Sequence, residues 1–498
     1  MGDAVSSQRY TPEQRTRYRE LLNADLETFD SYLQEATFVD HGTIGMELEL
    51  NLVDEEMQPY RVNEKVLEAI DSPEFQSEIG SYNIELNHPV LQVSGTGLRE
   101  LESGLRARLA AAHAGARAQG ARIGMIGTLP TLTTEFLEDP AWMTEENRYR
   151  ALSNAVLDAR GELVRIDITD REYYQHDFAD IAPESSCTSM QLHLQVAPNR
   201  FAGAWNASQA IAGIQVALSA NSPLFMGRKL WHENRIPVFT QSIDTRTPEL
   251  VTQGVRPRVW FGERWITSVF DLFEENVRYF PPMLPESRED AGTPVMQGSA
   301  PTLHALNLHN GTVWRWNRPI YAPAEDELAH IRVENRLLPA GPTVADMVAD
   351  AAFYYGLVKF LTEENRPVWS RLSFADAESN FFSAARSGLY SRVVWPKAGR
   401  VDVAELVRTV LAPRARRGLA MLEADEDMIE HYMSIIEERA RTRQNGATWQ
   451  LRTLNALKPR VTEPDTPERR AALARVMELY LTHQQTEEPV HTWPVGDV

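Results

Sequence analysis

GMELELNL, at residues 45–52, alternates acidic and aliphatic side chains with a period of two. On a β-strand, residues i and i+2 project from the same face. Glu47 and Glu49 would therefore share one face, with the Met and Leu residues between them on the other. The stretch predicts a half-buried strand that presents two carboxylates on its polar side.

Three other stretches show the same alternation and predict strands of the same kind. Within each stretch, the polar residues would lie on one face of the strand. They are Glu85 in SYNIELNHPV (81–90), Gln191, His193 and Gln195 in SMQLHLQV (189–196), and Arg332, Glu334 and Arg336 in HIRVENRLL (330–338). Strands return at intervals too irregular for a βαβ array, so we predict an α+β fold with a mainly antiparallel sheet.

The polar faces have two interpretations. Alternation is common where one face of an antiparallel sheet meets solvent. A bare Glu-x-Glu pair is nevertheless unfavourable on a strand unless something neutralises it. Divalent cations with oxygen ligands do this well, and Mg²⁺ is often shared with substrate phosphates. Carboxylates and arginines on neighbouring strands thus suggest metal-assisted phosphoryl transfer.

Helical spacing dominates both ends of the chain. We expect an N-terminal helix packed on the body (1–40), a catalytic domain (41–395) and a helical C-terminal extension (396–498). The last dozen residues lack clear periodicity, and we expect them to be frayed. The C-terminal helices fit either an active-site cover or an interface in a homo-oligomer.

Composition narrows the function classes. The chain has 498 residues with 50 basic and 70 acidic side chains, a net charge of −20, which disfavours binding to nucleic acid. Its single cysteine, Cys187, excludes an internal disulfide. No apolar run is long enough to span a membrane, and the N-terminus has no signal-peptide pattern. We therefore expect a cytoplasmic protein that binds no membrane.

The motifs resemble those of glutamate–cysteine ligases, most closely the second family of these enzymes, which includes the bacterial carboxylate–amine ligases. The stretches that carry the resemblance are GMELEL (45–50), IELNHPV (84–90), RYRAL (148–152), MQLHLQV (190–196), HENRIPVFTQSIDTR (232–246), HNGTVWRWNRP (309–319), RVENR (332–336) and SNFFSAARSGL (379–389). They occur in family order over roughly 70% of the chain, which no single short motif could imitate.

The resemblance implies a fold shared with glutamine synthetase, in which a curved, mainly antiparallel sheet forms a funnel with helices outside. It also implies ATP-dependent ligation of the γ-carboxylate of L-glutamate to an amine through an acyl phosphate. L-Cysteine is the family's usual amine. Two or three Mg²⁺ ions, or Mn²⁺ in their place, would lie between the nucleotide and the carboxylate substrate.

The resemblance also assigns roles to the strand residues. Glu47 would contact the metal shared with the γ-phosphate, whereas Glu49 and Glu85 would hold the metal nearer the amine. Glu334 matches the carboxylate of the family's late E-x-R strand. Arg336 matches its arginine, which would stabilise the transferring phosphoryl group.

Three further candidates follow from the same likeness. Gln191 stands where many bacterial members have a metal-binding His and plant-type members have Gln. His193 falls where relatives have His or Asn. Glu78 lies where related enzymes have an acidic residue, and it is a candidate acceptor for the proton of the amine.

Arginines would meet the remaining negative charge of phosphate and substrate. Arg148 and Arg318 are candidates, and either Arg235 or Arg246 aligns with the family's arginine in the 232–246 tract.

Two alternatives to a ligase are a phosphotransferase acting on a guanidino group and an inactive regulator that binds nucleotide or glutamate. A regulator would be marked by lost metal carboxylates, but all four are present. The E-x-E strand together with the E-x-R strand favours the ligase.

Overall fold

The computed structural model describes residues 5, 7–287, 300–323, 328–457 and 465–496. Its strands are β1 (Ile44–Val53), β2 (Phe75–Ser77), β3 (Asn83–Leu91), β4 (Arg122–Gly124), β5 (Val164–Thr169), β6 (Tyr173–Phe178), β7 (Ser189–Gln195), β8 (Leu224–Phe225), β9 (Arg228–Lys229), β10 (Val259–Trp260), β11 (Trp314–Arg315), β12 (Asn317–Ala322), β13 (His330–Pro339), β14 (Arg392–Trp395) and β15 (Gly399–Asp402).

Seven of these strands form one sheet in the order β12-β13-β7-β1-β3-β2, with β4 paired to the end of β1. Every pair in this sheet is antiparallel. The apolar residues Met46, Leu48 and Leu50 of β1 are buried. The helices Pro198–Ser219 and Val344–Thr362 pack against the sheet. The predicted α+β fold with a mainly antiparallel sheet is thus confirmed.

The register of the sheet brings the polar side chains of the four predicted strands together. Glu47 lies opposite Gln191, and Glu49 lies opposite Glu85. On the next strand pair, Glu334 lies opposite His193. Since cross-strand partners are close neighbours on one face, four separate sequence motifs become one polar surface.

Helices surround the sheet and fill the C-terminal part of the chain. Their bounds are α1 (Pro12–Glu35), α2 (Asn63–Ile70), α3 (Gly97–Ala118), α4 (Thr134–Glu138), α5 (Asn147–Arg160), α6 (Pro198–Ser219), α7 (Arg235–Ser242), α8 (Pro248–Thr252), α9 (Val269–Tyr279), α10 (His304–Asn310), α11 (Val344–Thr362), α12 (Phe374–Ser387), α13 (Val403–Leu406), α14 (Ala412–Met421), α15 (Glu426–Thr442), α16 (Gly446–Leu457) and α17 (Pro467–Gln484). None of the described helices is both long and apolar enough to cross a membrane.

The N-terminal helix is fixed at its start and along its length. Thr11 and Gln14 form a capping box, in which each side chain accepts a hydrogen bond from the other's backbone N–H. Further along, the Tyr18 hydroxyl donates to the Ala305 carbonyl at 2.7 Å. The Asp25 carboxylate accepts from the backbone N–H of Leu306 at 3.0 Å. Helix α1 therefore anchors α10.

The expectation of frayed C-terminal residues is wrong for residues 487–496, and residues 497–498 lie outside the described chain. Trp493 packs against Trp449 and Tyr480, with ring centroids 5.2 and 5.3 Å apart. The backbone N–H of Val490 donates to Asp346 at 2.9 Å. These anchors are single residues without periodic spacing, so the sequence pattern did not reveal them.

Buried apolar residues from all three predicted parts of the chain belong to one continuous cluster. The division at residues 40 and 395 remains a prediction.

Helices α11 and α14 cross at two glycines. A Cβ atom added at Gly418 would lie 1.7 Å from the carbonyl oxygen of Gly356. We expect Gly418→Ala to lower the free energy of unfolding by about 1–3 kcal/mol, because backbone atoms cannot easily yield. Chemical denaturation measures this change.

Gly203→Ala in α6 is the matched control, because its added methyl group would have no neighbour nearer than 3.8 Å. The helix propensity of Ala should stabilise this variant by up to about 1 kcal/mol. Equal unfolding free energies for Gly418→Ala and wild type would contradict the close crossing.

Candidate active site

A cavity of about 780 Å³ opens over the polar face of the sheet. Strands β1, β2, β3, β7, β12 and β13 contribute one side of it, and helices α5 and α10 contribute to the other walls. The predicted site residues that line it are Glu47, Glu49, Glu78, Glu85, Arg148, Gln191, Arg318, Glu334 and Arg336. The structure thus brings most of the predicted residues to one concave surface.

Three carboxylates form the acidic triad of this cavity: Glu49, Glu78 and Glu85. One oxygen from each lies within 4.8 Å of the others. Burial, followed by repulsion from Glu85 and Glu49, raises the pKa of Glu78 well above its ordinary value. Burial and repulsion from Glu47 raise the pKa of Glu85 to about 7. Clustered carboxylate oxygens with uncompensated negative charge suit a divalent cation such as Mg²⁺, so the donor set fits that ion.

Glu49 is held in place by the strand beside it. Ser189 donates its backbone N–H to one carboxylate oxygen at 2.6 Å and its hydroxyl to the other at 3.0 Å. The amide of Gln191 donates to Glu49 at 3.3 Å. Burial raises the pKa of Glu49 even though the positive charge of Arg235 opposes the change. The carboxylate is therefore oriented but short of positive charge.

Glu334, on β13 of the same sheet, lies between two arginines. Arg318 donates to one of its oxygens at 2.7 Å and Arg336 to the other at 2.9 Å. Burial would raise the pKa of Glu334, but these two guanidinium groups bring it well below its ordinary value. Arg336 also donates to the amide oxygen of Gln191 at 3.1 Å. Both arginines thus line the cavity and are held in place by Glu334.

Glu47 is supported by a histidine that does not itself line the cavity. Nε2 of His193 lies 3.0 Å from a Glu47 oxygen, and Arg332 donates to Nδ1 of the same ring at 3.0 Å. Burial alone would raise the pKa of Glu47, but His193 brings it down to about 2. His193 orients a candidate metal ligand in the way expected of an outer-shell partner.

The structure does not bring the two arginines of the 232–246 tract into the cavity lining. Arg235 is buried and donates to Glu233 at 3.3 Å and to the Leu337 carbonyl at 3.2 Å. Arg246 is paired with Asp244 at 2.8 Å. Arg235 acts on the site through its charge near Glu49, whereas Arg246 is engaged in a local ion pair. Their roles in nucleotide binding remain predictions.

Several lining residues escaped the sequence reasoning. Glu184, Glu146 and Tyr149 line the cavity, but none stands on a strand with alternating polarity. Glu184 belongs to a 3-10 turn (Ala182–Ser186) directly before β7. Arg332 shares a face with Glu334 and Arg336 in the sequence pattern, so the same signal could have identified it.

The family model for glutamate–cysteine ligase family 2 matches residues 43–478. The chain belongs to this family. That match covers every residue of the polar surface and confirms the family resemblance seen in the motifs. Glutamate–cysteine ligase family 2 membership supports a carboxylate–amine ligase.

Solved structures show that the family fold is shared with distant proteins. A glutamate–cysteine ligase from Francisella tularensis, solved in complex with AMP, is similar with a TM-score of 0.51 at 10% identity, covering 92% of this chain and 97% of that one. A bifunctional glutathione synthetase from Pasteurella multocida has a TM-score of 0.51 at 11% identity, covering 95% of this chain and 55% of that one. No curated protein sequence matches this family member.

Proposed function

We propose that this protein is an ATP- and Mg²⁺-dependent ligase that joins the γ-carboxylate of L-glutamate to an amine, by family default L-cysteine, through an acyl phosphate. One observation carries the proposal. The acidic triad and the Glu334–arginine pairs face the same cavity. This arrangement combines sites for cations with sites for the oxygens of phosphate.

The reaction explains why both kinds of site are needed. A carboxylate is a poor acyl donor, because its oxygen is a bad leaving group. Transfer of a phosphoryl group supplies a good leaving group, and the protein then contributes chiefly positioning and charge neutralisation. A substrate carboxylate and a triphosphate repel each other strongly at short range. The cavity must therefore bring cations to them.

The cavity residues divide this work. Glu47, Glu49, Glu85 and Glu334 are the carboxylates proposed to hold the metal ions. When bound, Mg²⁺ would neutralise the phosphate charge that collects between donor and acceptor. Arg336 would contact the transferring phosphoryl group, since Glu334 and Gln191 orient its guanidinium. Glu78 is the third carboxylate of the acidic triad. It is proposed either as a further metal ligand at that site or as the acceptor for the proton of the amine.

Nucleotide use has separate support. One of the similar solved structures is a glutamate–cysteine ligase in complex with AMP. The cavity volume of about 780 Å³ falls in the range of pockets that bind small molecules and cofactors. ATP, glutamate and a small amine are therefore the substrates we propose, in the cytoplasm, without nucleic acid or membrane.

The test is ADP release by purified protein with ATP, Mg²⁺ and L-glutamate, with and without each amine of a panel that includes L-cysteine. Mass spectrometry identifies the product. We expect release to require both glutamate and one amine and to fall strongly in Glu47→Gln. Nucleotide binding without turnover for any amine would contradict a glutamate ligase and favour either the regulator or a carboxylate substrate other than glutamate.

A further inference from the structure

Glu184 is a cavity carboxylate that the scheme above leaves unused. It lies on the turn before β7 and lines the same cavity as the acidic triad. Its Oε2 atom is buried and has no hydrogen-bond partner among the described residues. A buried carboxylate oxygen without a partner is costly, because it has lost water without gaining a donor.

The charged neighbours of Glu184 place it beside the reacting groups. The charge of Glu49 raises the pKa of the Glu184 carboxyl and that of Arg336 lowers it, and Glu184 in turn raises the pKa of Glu78. Burial is the largest cause, and the pKa rises to about 8. The carboxyl therefore lines the same cavity as the acidic triad and the arginine proposed to contact the phosphoryl group, and interacts electrostatically with both.

Neither neighbouring group supplies the missing donor. Arg336 is already engaged with Glu334 and Gln191. Glu184 is also not a member of the acidic triad, whose three residues are the described group close enough to share one ion. A cationic hydrogen-bond donor bound in the cavity would supply this partner and stabilise the negative charge of Glu184.

We propose that Glu184 binds the ammonium group of the acceptor amine through Oε2, an inference that rests on the proposed function. This assigns the cavity a preference for acceptors that arrive protonated, as amino acids do at neutral pH. The ammonium group would be held next to Arg336, within the part of the cavity where the acyl phosphate forms.

Hydroxylamine separates this role from the rest of the reaction. It attacks acyl phosphates directly and is largely unprotonated at neutral pH, so it needs no carboxylate to hold a positive charge. The experiment measures kcat and KM for Glu184→Gln with two nucleophiles: hydroxylamine, and L-cysteine or another panel amine that turns over. The amide of Gln preserves the shape of the side chain and removes its charge.

We expect the KM for the protonated amine to rise about 10- to 100-fold in Glu184→Gln, the range for loss of a hydrogen bond to a charged group. The KM for hydroxylamine, ATP and glutamate should change little. Glu146→Gln, in the same cavity, is the matched control, and it should leave the ratio of the two nucleophile KM values unchanged. Thermal unfolding of each variant checks that it is folded.

Each other outcome has a definite meaning. Loss of hydroxamate formation together with amine ligation would make Glu184 a metal or phosphoryl residue and overturn the proposal. An unchanged KM for the amine, or a wild type that forms hydroxamate but uses no protonated amine, would overturn it too. A wild type that forms no glutamyl hydroxamate at all would instead refute the proposed function.

Discussion

Replacing Arg336 by Lys is expected to lower kcat about 10³-fold, with a much smaller change in the KM for ATP. Lysine keeps the positive charge but cannot reproduce the planar fork that reaches both Glu334 and Gln191. An arginine that meets charge developing on a transferring phosphoryl group acts mainly in the transition state. Removal of such an arginine typically costs about 10³–10⁵ in rate. Steady-state kinetics over a range of ATP concentrations separates the two parameters.

Arg278→Lys is the matched control, because Arg278 lies on the exposed side of α9 and pairs with Glu274 one turn away. Its kcat should equal that of wild type. If Arg336→Lys retained full kcat, a positive charge alone would suffice and the proposed orientation of the guanidinium would be wrong.

The largest expected effect on stability comes from a buried ion cluster between α11 and α15. Arg439 donates to Asp346 at 2.9 Å and also contacts Asp350, and all three side chains are buried. Arg439→Ala would leave two carboxylates buried without their cation. We expect it to lower the free energy of unfolding by about 3–5 kcal/mol. Urea denaturation followed by circular dichroism measures the change.

Arg441→Ala on the same helix provides the comparison, since its pair with Glu438 is exposed. It should change stability by at most about 1 kcal/mol. A triple variant, Arg439→Met with Asp346→Asn and Asp350→Asn, removes all the charges of the cluster together. It should lower the free energy of unfolding by less than Arg439→Ala does. If Arg439→Ala were as stable as Arg441→Ala, this account of the cluster would be wrong.

The sequence predicted the part of the site that lies on regular strands. Alternation with a period of two is visible without a structure, so Glu47, Glu49 and Glu334 could be placed on polar faces before their partners were known. Family resemblance then indicated that these strands belong to one catalytic sheet. Neither source could give the register, which is what sets Glu49 opposite Glu85.

What the sequence did not reveal depends on irregular backbone or on competition between partners. Glu184 stands on a short turn, where no periodicity indicates which way a side chain points. Arg246 looked as suitable as Arg235, but Asp244, two residues away, engages it. Trp493 follows no helical pattern, yet it is buried among other aromatic rings.

Helix α1 has a consequence for how small a working version of this protein can be. The family match begins at residue 43, beyond the end of α1 at Glu35. Yet Tyr18 and Asp25 of α1 hold α10, which forms one wall of the cavity. A chain trimmed to residues 43–478 would keep every carboxylate of the acidic triad and lose the support of that wall. The boundaries of the family match and of a fully supported cavity therefore differ in this molecule.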